Sequence, residues 1–258
     1  MNTKLKQLKI ASLGSSFASG PGIPPEIPPL GAGRSGQNYP HILAQHLDAE
    51  LTDLTVSGST LLDITITQQI NPFTGGLFPT QLSNLPEDAD IVTITAGGND
   101  INYIGGQISD ACAALGVESP VPNTGALSPD ALAGRLAGVV DAIHERALGA
   151  RVFLVEYLAV LGPDTRPGHD IPFNQERVEH YLGVASAMSR AYCDVAESRS
   201  EWCQRVPVNE YSLRHALGSE EPWVGRFDGS DGPMLHPKLV GMKAVAGLLL
   251  ETIKKLPM

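Results

Sequence analysis

Apolar residues in this chain follow two alternating rhythms. Runs of the first kind are apolar almost throughout. They fall at 8–13 ("LKIASL"), at the end of 51–58 ("LTDLTVSG"), within 89–100 ("ADIVTITAGGND"), at 150–158 ("ARVFLVEYL") and at 204–210 ("QRVPVNE"). Their β-branched content and the glycines that stop several of them predict five strands. Runs of the second kind keep a helical period. Tyr39, Ile42, Leu43 and Leu47, with Pro40 near the start, predict a helix over 38–49. "PTQLSNL" (79–85) predicts a short one. Ser128-Pro129-Asp130 opens a helix over 128–148. A long helix is predicted over 173–198. A last amphipathic one covers 236–256, where Lys254 and Lys255 suit the negative end of the helix dipole.

Strands that are apolar on both faces, with helices between them, imply a parallel sheet covered on both sides. Five such strands predict one doubly wound α/β domain over residues 1–258, without internal repeat or linker. The irregular stretches are 21–37, 71–76, 105–125, 161–172 and 215–235. Most of them follow strands. They should therefore gather at the carboxyl edge of the sheet, where open parallel sheets bind ligands.

Composition narrows the partners. The chain has 258 residues and a net charge of −10, which argues against nucleic acid or an anionic membrane. No apolar run is long enough to span a bilayer. "MNTKLKQ" is basic but leads into a strand rather than a signal-peptide core, so a cytoplasmic location is expected, or secretion if a leader has been trimmed. Cys112, Cys193 and Cys203 form no regular framework and are expected as free thiols, a Cys193–Cys203 bridge being the alternative in a secreted chain.

Several motifs lead nowhere. "GAGRSG" (31–36) has the spacing of a dinucleotide fingerprint, but proline-rich "PPEIPPL" precedes it where a strand is required, so a loop is expected. No phosphate-binding GxxxxGK[ST] occurs. His41 and His46 are five residues apart, which does not stack them on one helix face. The sequence calls for no metal and no organic cofactor.

"GSSFASG" (14–20) stands out by its company. A serine hydroxyl attacks carbonyls only with an oriented base and with donors for the oxyanion. Gly58 ends the second strand stretch, and its bare backbone lets an N–H approach a ligand. Asn99, after the third strand, offers a side-chain amide. His236 stands in "MLHPK", with Asp228 and Asp231 just upstream. Taken singly, Ser16 could be an ordinary turn residue and Asn99 an Asx turn.

In this order the blocks resemble the GDSL-type, or SGNH, hydrolases. Gly14-Ser15-Ser16-Phe17 is similar to the first block, Gly58 to the second, Gly97-Gly98-Asn99-Asp100 to the third and His236-Pro237 to the last. The resemblance implies a three-layer α/β/α, flavodoxin-like domain that hydrolyses carboxylic esters. Ser16 would be the nucleophile and His236 the base. The Ser16 and Gly58 N–H groups and the Asn99 side chain would form the oxyanion hole. Two positions depart from the family. Ser15 stands where an aspartate is usual before the nucleophile. Pro233 stands where the acid is usual, three residues before the histidine. Asp231 is then the expected acid, with the carbonyl of Pro233 or Met234 as the alternative. Trp223 and Phe227 are expected to line a pocket for a small-molecule or glycan-borne ester. Acyl transfer, sugar deacetylation and a catalytically silent binding protein are the competing readings.

Overall fold

The computed structural model describes residues 7–71, 74–121 and 126–255. The basic residues 1–6 of the N-terminal stretch, and parts of the 71–76 and 105–125 loops, lie outside the described residues. So does the end of the last predicted helix. Among these residues there are seven strands: β1 (Lys9–Gly14), β2 (Glu50–Asp53), β3 (Gln69–Ile70), β4 (Leu77–Phe78), β5 (Ile91–Thr95), β6 (Arg151–Val155) and β7 (Cys203–Val206). The helices are α1 (Ser16–Ser19), α2 (Tyr39–Leu47), α3 (Leu61–Thr65), α4 (Tyr103–Leu115), α5 (Pro129–Arg146), α6 (Gln175–Glu197), α7 (Val208–Ser212) and α8 (Leu239–Lys254).

Five strands form one parallel sheet in the order β2-β1-β5-β6-β7. This is the flavodoxin-like doubly wound order, and its reversal point lies between β1 and β5. The central strands read as continuous apolar runs because both faces are covered. Leu13, Val92, Ile94, Val152 and Leu154 are all fully buried. On one side α2 packs on α8, and on the other α5 packs on α6. The helix starts follow their side chains. Asn38, Ser128 and Asn174 accept from the backbone N–H three residues on, at 3.1, 3.3 and 3.1 Å.

Four expectations need correction. The fifth strand stops at Val206, because Pro207 has no N–H to continue a ladder, and Val208–Ser212 turns into α7. Residues 105–115, part of the stretch expected as loop, belong to α4. The short helix near 79–85 is a single 3₁₀ turn at Gln81–Asn84. Finally, α3 and the β3–β4 hairpin were not anticipated. The proline-rich stretch 21–37 is pinned down by Arg34, whose Nε and Nη2 donate to the Thr55 carbonyl at 3.1 and 2.7 Å. Cys112, Cys193 and Cys203 are free thiols. No helix among the described residues is long and apolar enough to cross a membrane.

Candidate active site

The reversal point places two loops side by side at the carboxyl edge of the sheet. β1 and β5 run in register to Gly14 opposite Thr95. Gly14 takes a φ of +137°, and a Cβ there would sit 2.3 Å from the Thr95 carbonyl oxygen, so only glycine lets the chain leave β1 this close to β5. Ser15 donates its N–H back to Thr95 at 2.9 Å, and Ser16 opens the single turn of α1. Ser16 is 5% exposed. It faces a cavity of about 310 Å³ that is also lined by Gly58, Asn99, Asn102, Ile104, Ile108 and His236. Four of the sequence-predicted site residues, Ser16, Gly58, Asn99 and His236, thus meet in one cavity.

Each wall of this cavity is held. Gln81 clasps the peptide of Gly14, accepting its N–H at 2.7 Å and donating to its carbonyl at 3.0 Å. The same side-chain amide donates to Ser59 Oγ at 3.0 Å, which ties the first loop to the second. Gln69 on β3 completes the tie by donating to the Ser57 carbonyl at 2.7 Å and accepting from Ser59 Oγ at 2.6 Å. Gly58 has a φ of +82° between these anchors. The Asn99 amide donates one N–H to the Ser59 carbonyl at 2.8 Å, which orients the group and leaves a second N–H. Asp100, next in sequence, is buried. It accepts from the Leu61 N–H at 2.8 Å and from Arg135 at 2.9 Å, securing the start of α3 and the face of α5. Burial pushes its carboxyl pKa up, and these two donors oppose the rise.

His236 is fixed from the other side. Its loop is laced to 224–225 by hydrogen bonds from Gly225 N–H to the His236 carbonyl and from Leu235 N–H to the Gly225 carbonyl, at 2.9 and 3.1 Å. Leu235 is buried with a φ of +54°, a conformation costly for leucine. The turn brings the Met234 carbonyl 2.7 Å from His236 Nδ1. A carbonyl only accepts, so Nδ1 carries the proton and Nε2 is left as an acceptor. The ring packs on Phe17 with 5.6 Å between centroids. Burial pushes its pKa below the ordinary 6.5, and the Met234 carbonyl offsets part of that. Among the described residues, no hydrogen bond joins His236 to Ser16 Oγ.

Among the described residues, no hydrogen bond joins Asp231 to His236. Its carboxylate accepts from Lys238 Nζ at 2.9 Å and from the Arg226 N–H at 2.7 Å. A cation and a backbone donor within its own loop satisfy it better than a bent loop could. Asp228 is likewise engaged locally, with Ser230. Trp223 and Phe227 are also outside the cavity lining. The Trp223 ring lies flat on His215 at 3.9 Å, and its backbone pairs with Lys238 at the start of α8. In their place, α4 supplies the apolar wall, through Ile104 and Ile108, together with Val121. Gln81 and these α4 residues were not singled out from sequence.

Comparison with known proteins agrees with this fold. Over 113 residues the chain is 38% identical to Lipase 2 of Streptomyces coelicolor, a match that covers 43% of this chain and 36% of that lipase. The fold resembles the extracellular lipase of Streptomyces rimosus, with a TM-score of 0.72 and 20% identity over 95% of this chain and 99% of the other. It also resembles phospholipase A1 of Streptomyces albidoflavus NA297, with a TM-score of 0.72 and 17% identity over 96% and 99% of the two chains. The model of the GDSL-like lipase/acylhydrolase family matches residues 12–244, and the chain belongs to that family.

Proposed function

We propose that this chain is a single-domain serine esterase that works through a Ser16–His236 dyad. The observation that carries the reading is the one cavity onto which Ser16, Gly58, Asn99 and His236 all open. His236 Nε2 takes the proton of Ser16 Oγ as that oxygen attacks the ester carbonyl. The Ser16 and Gly58 N–H groups and the second N–H of Asn99 receive the oxyanion. His236 then returns the proton to the departing alcohol. Water, with its proton taken by the same nitrogen, releases the acid and restores Ser16. Ile104, Ile108 and Val121 give the acyl chain an apolar wall, which favours an aliphatic ester over a polar acyl group. The direct test is turnover of a short p-nitrophenyl ester, together with an organophosphonate adduct mapped by peptide sequencing. Adduct on a residue other than Ser16 would reject the assignment.

The Met234 carbonyl replaces the acid in this scheme. It fixes the tautomer, and as a neutral acceptor it stabilises the imidazolium less than a carboxylate would. Asp231→Asn is therefore expected to reduce kcat by less than about tenfold, whereas a working triad aspartate is worth about 10⁴. A loss near the larger figure, with the fold intact by circular dichroism, would restore Asp231 to the mechanism.

The depressed pKa of His236 sets the pH profile. The base must be neutral, so kcat/KM falls as pH drops through the His236 pKa and is level above it. With that pKa pushed below 6.5, the imidazole is mostly neutral at pH 7 and the acidic limb has its midpoint below 6.5. A kcat/KM profile whose acidic limb has its midpoint above 6.5 would contradict the buried, neutral imidazole.

A further inference from the structure

Tyr157 follows β6 by two residues and has no part in the chemistry above. Its ring is buried, packed on Phe17 at 4.7 Å between centroids and edge-on to Tyr103 at 6.3 Å. Its hydroxyl reaches two strand ends at once. It accepts from the Gly98 N–H at 3.1 Å and lies 2.8 Å from Ser15 Oγ. Ser15 immediately precedes Ser16, and Gly98 immediately precedes Asn99. One phenol oxygen thus spans the two residues behind the nucleophile and the oxyanion donor.

A phenol has one proton and two acceptor sites. Gly98 uses one acceptor site, and one hydrogen bond joins the phenol to Ser15 Oγ, with either oxygen able to donate. Burial pushes the phenol pKa up to about 12, so the phenol proton stays in place at working pH. The Gly97-Gly98 turn has no side chain of its own to hold it. A Cβ on Gly98 would lie 2.8 Å from the tyrosine ring, so the close approach also requires glycine. Ser15 is the position at which this chain departs from the family's usual aspartate, and its short hydroxyl fits the buried phenol.

Resting on the esterase reading, we infer that Tyr157 is a positioning residue that sets the distance between Ser16 and Asn99. The oxyanion forms on a carbon bonded to Ser16 Oγ and must lie within hydrogen-bond reach of Asn99. A displacement of about 1 Å costs on the order of 10² in rate. The hydroxyl removes that freedom by tying β1, β5 and β6 together at their carboxyl ends.

The test uses Tyr157→Phe, which keeps the aromatic packing and removes only the oxygen. On a short p-nitrophenyl ester its kcat is expected to fall about 10- to 100-fold, with KM within about twofold of wild type. The effect should run through Asn99. In an Asn99→Ala background, adding Tyr157→Phe is expected to cost less than about threefold, because two changes in one network do not add. Ser15→Ala should reproduce the fall in kcat with the tyrosine intact, and it decides the matter if Tyr157→Phe does not fold. A wild-type kcat in the folded variants, or full additivity with Asn99→Ala, would overturn the inference. A wild-type protein without turnover or Ser16 adduct would overturn the esterase reading instead, so the two failures are told apart.

Discussion

Ser16→Ala is expected to abolish ester turnover, lowering kcat by about 10⁶, the scale on which removal of a serine nucleophile acts. The substitution deletes one oxygen from a residue that is 5% exposed and opens on the cavity. Among the described residues, Ser16 Oγ holds no hydrogen bond, so its loss leaves no partner unsatisfied and the fold should be unchanged. The neighbouring serines cannot take over. Ser15 is 1% exposed and its hydroxyl is engaged with Tyr157, and Ser19 is fully buried. What remains in Ser16→Ala is water attack helped by the oxyanion donors alone, which retains a trace of rate. The measurement is kcat of the purified variant beside its thermal midpoint. Turnover within about tenfold of wild type, at an unchanged midpoint, would remove Ser16 from the mechanism.

The fold was legible because its central strands are buried on both faces and therefore read as unbroken apolar runs. Residues 152–155 are the clearest case, and Ile91–Thr95 departs from it only by two buried threonines. Where a local feature argued one way and packing another, packing won. Gly105-Gly106 reads as a loop, yet Gly106 is buried inside α4 because a Cβ there would meet the Tyr181 hydroxyl at 2.8 Å. That glycine records helix-against-helix closeness, which periodicity does not register. The four cavity residues were legible for a different reason. Each stands just past a strand or just before a helix, and topology carries such ends to one edge. The group beside His236 Nδ1, the main-chain carbonyl of Met234, was legible only as the alternative to Asp231, because any residue at that position could supply a carbonyl. Asp231 had the right charge and a nearby position, but Lys238 offered it a stronger partner. Trp223 was expected in the pocket because its loop follows the last strand, and its ring stacks on His215 instead.

Asn99→Ala is expected to lower kcat by about 10²–10³ and to leave KM nearly unchanged, since an oxyanion donor acts on charge that develops only in the transition state. The variant has a second consequence to separate from the first, because Asn99 Nδ2 also donates to the Ser59 carbonyl. That loop does not depend on this bond. Ser59 N–H donates to the Val56 carbonyl at 3.2 Å, and Ser59 Oγ is held by Gln69 and Gln81. The donor to the oxyanion is lost while Gly58 stays in place. Asn99→Asp sharpens the test. A carboxylate is nearly the same shape, but its oxygens only accept. It would face the Ser59 carbonyl and the developing oxyanion with like charge, so the loss should exceed that of alanine. If Asn99 instead bound the ground-state ester, alanine would raise KM and leave kcat alone. That outcome, or an aspartate variant more active than the alanine one, would take Asn99 out of the oxyanion hole.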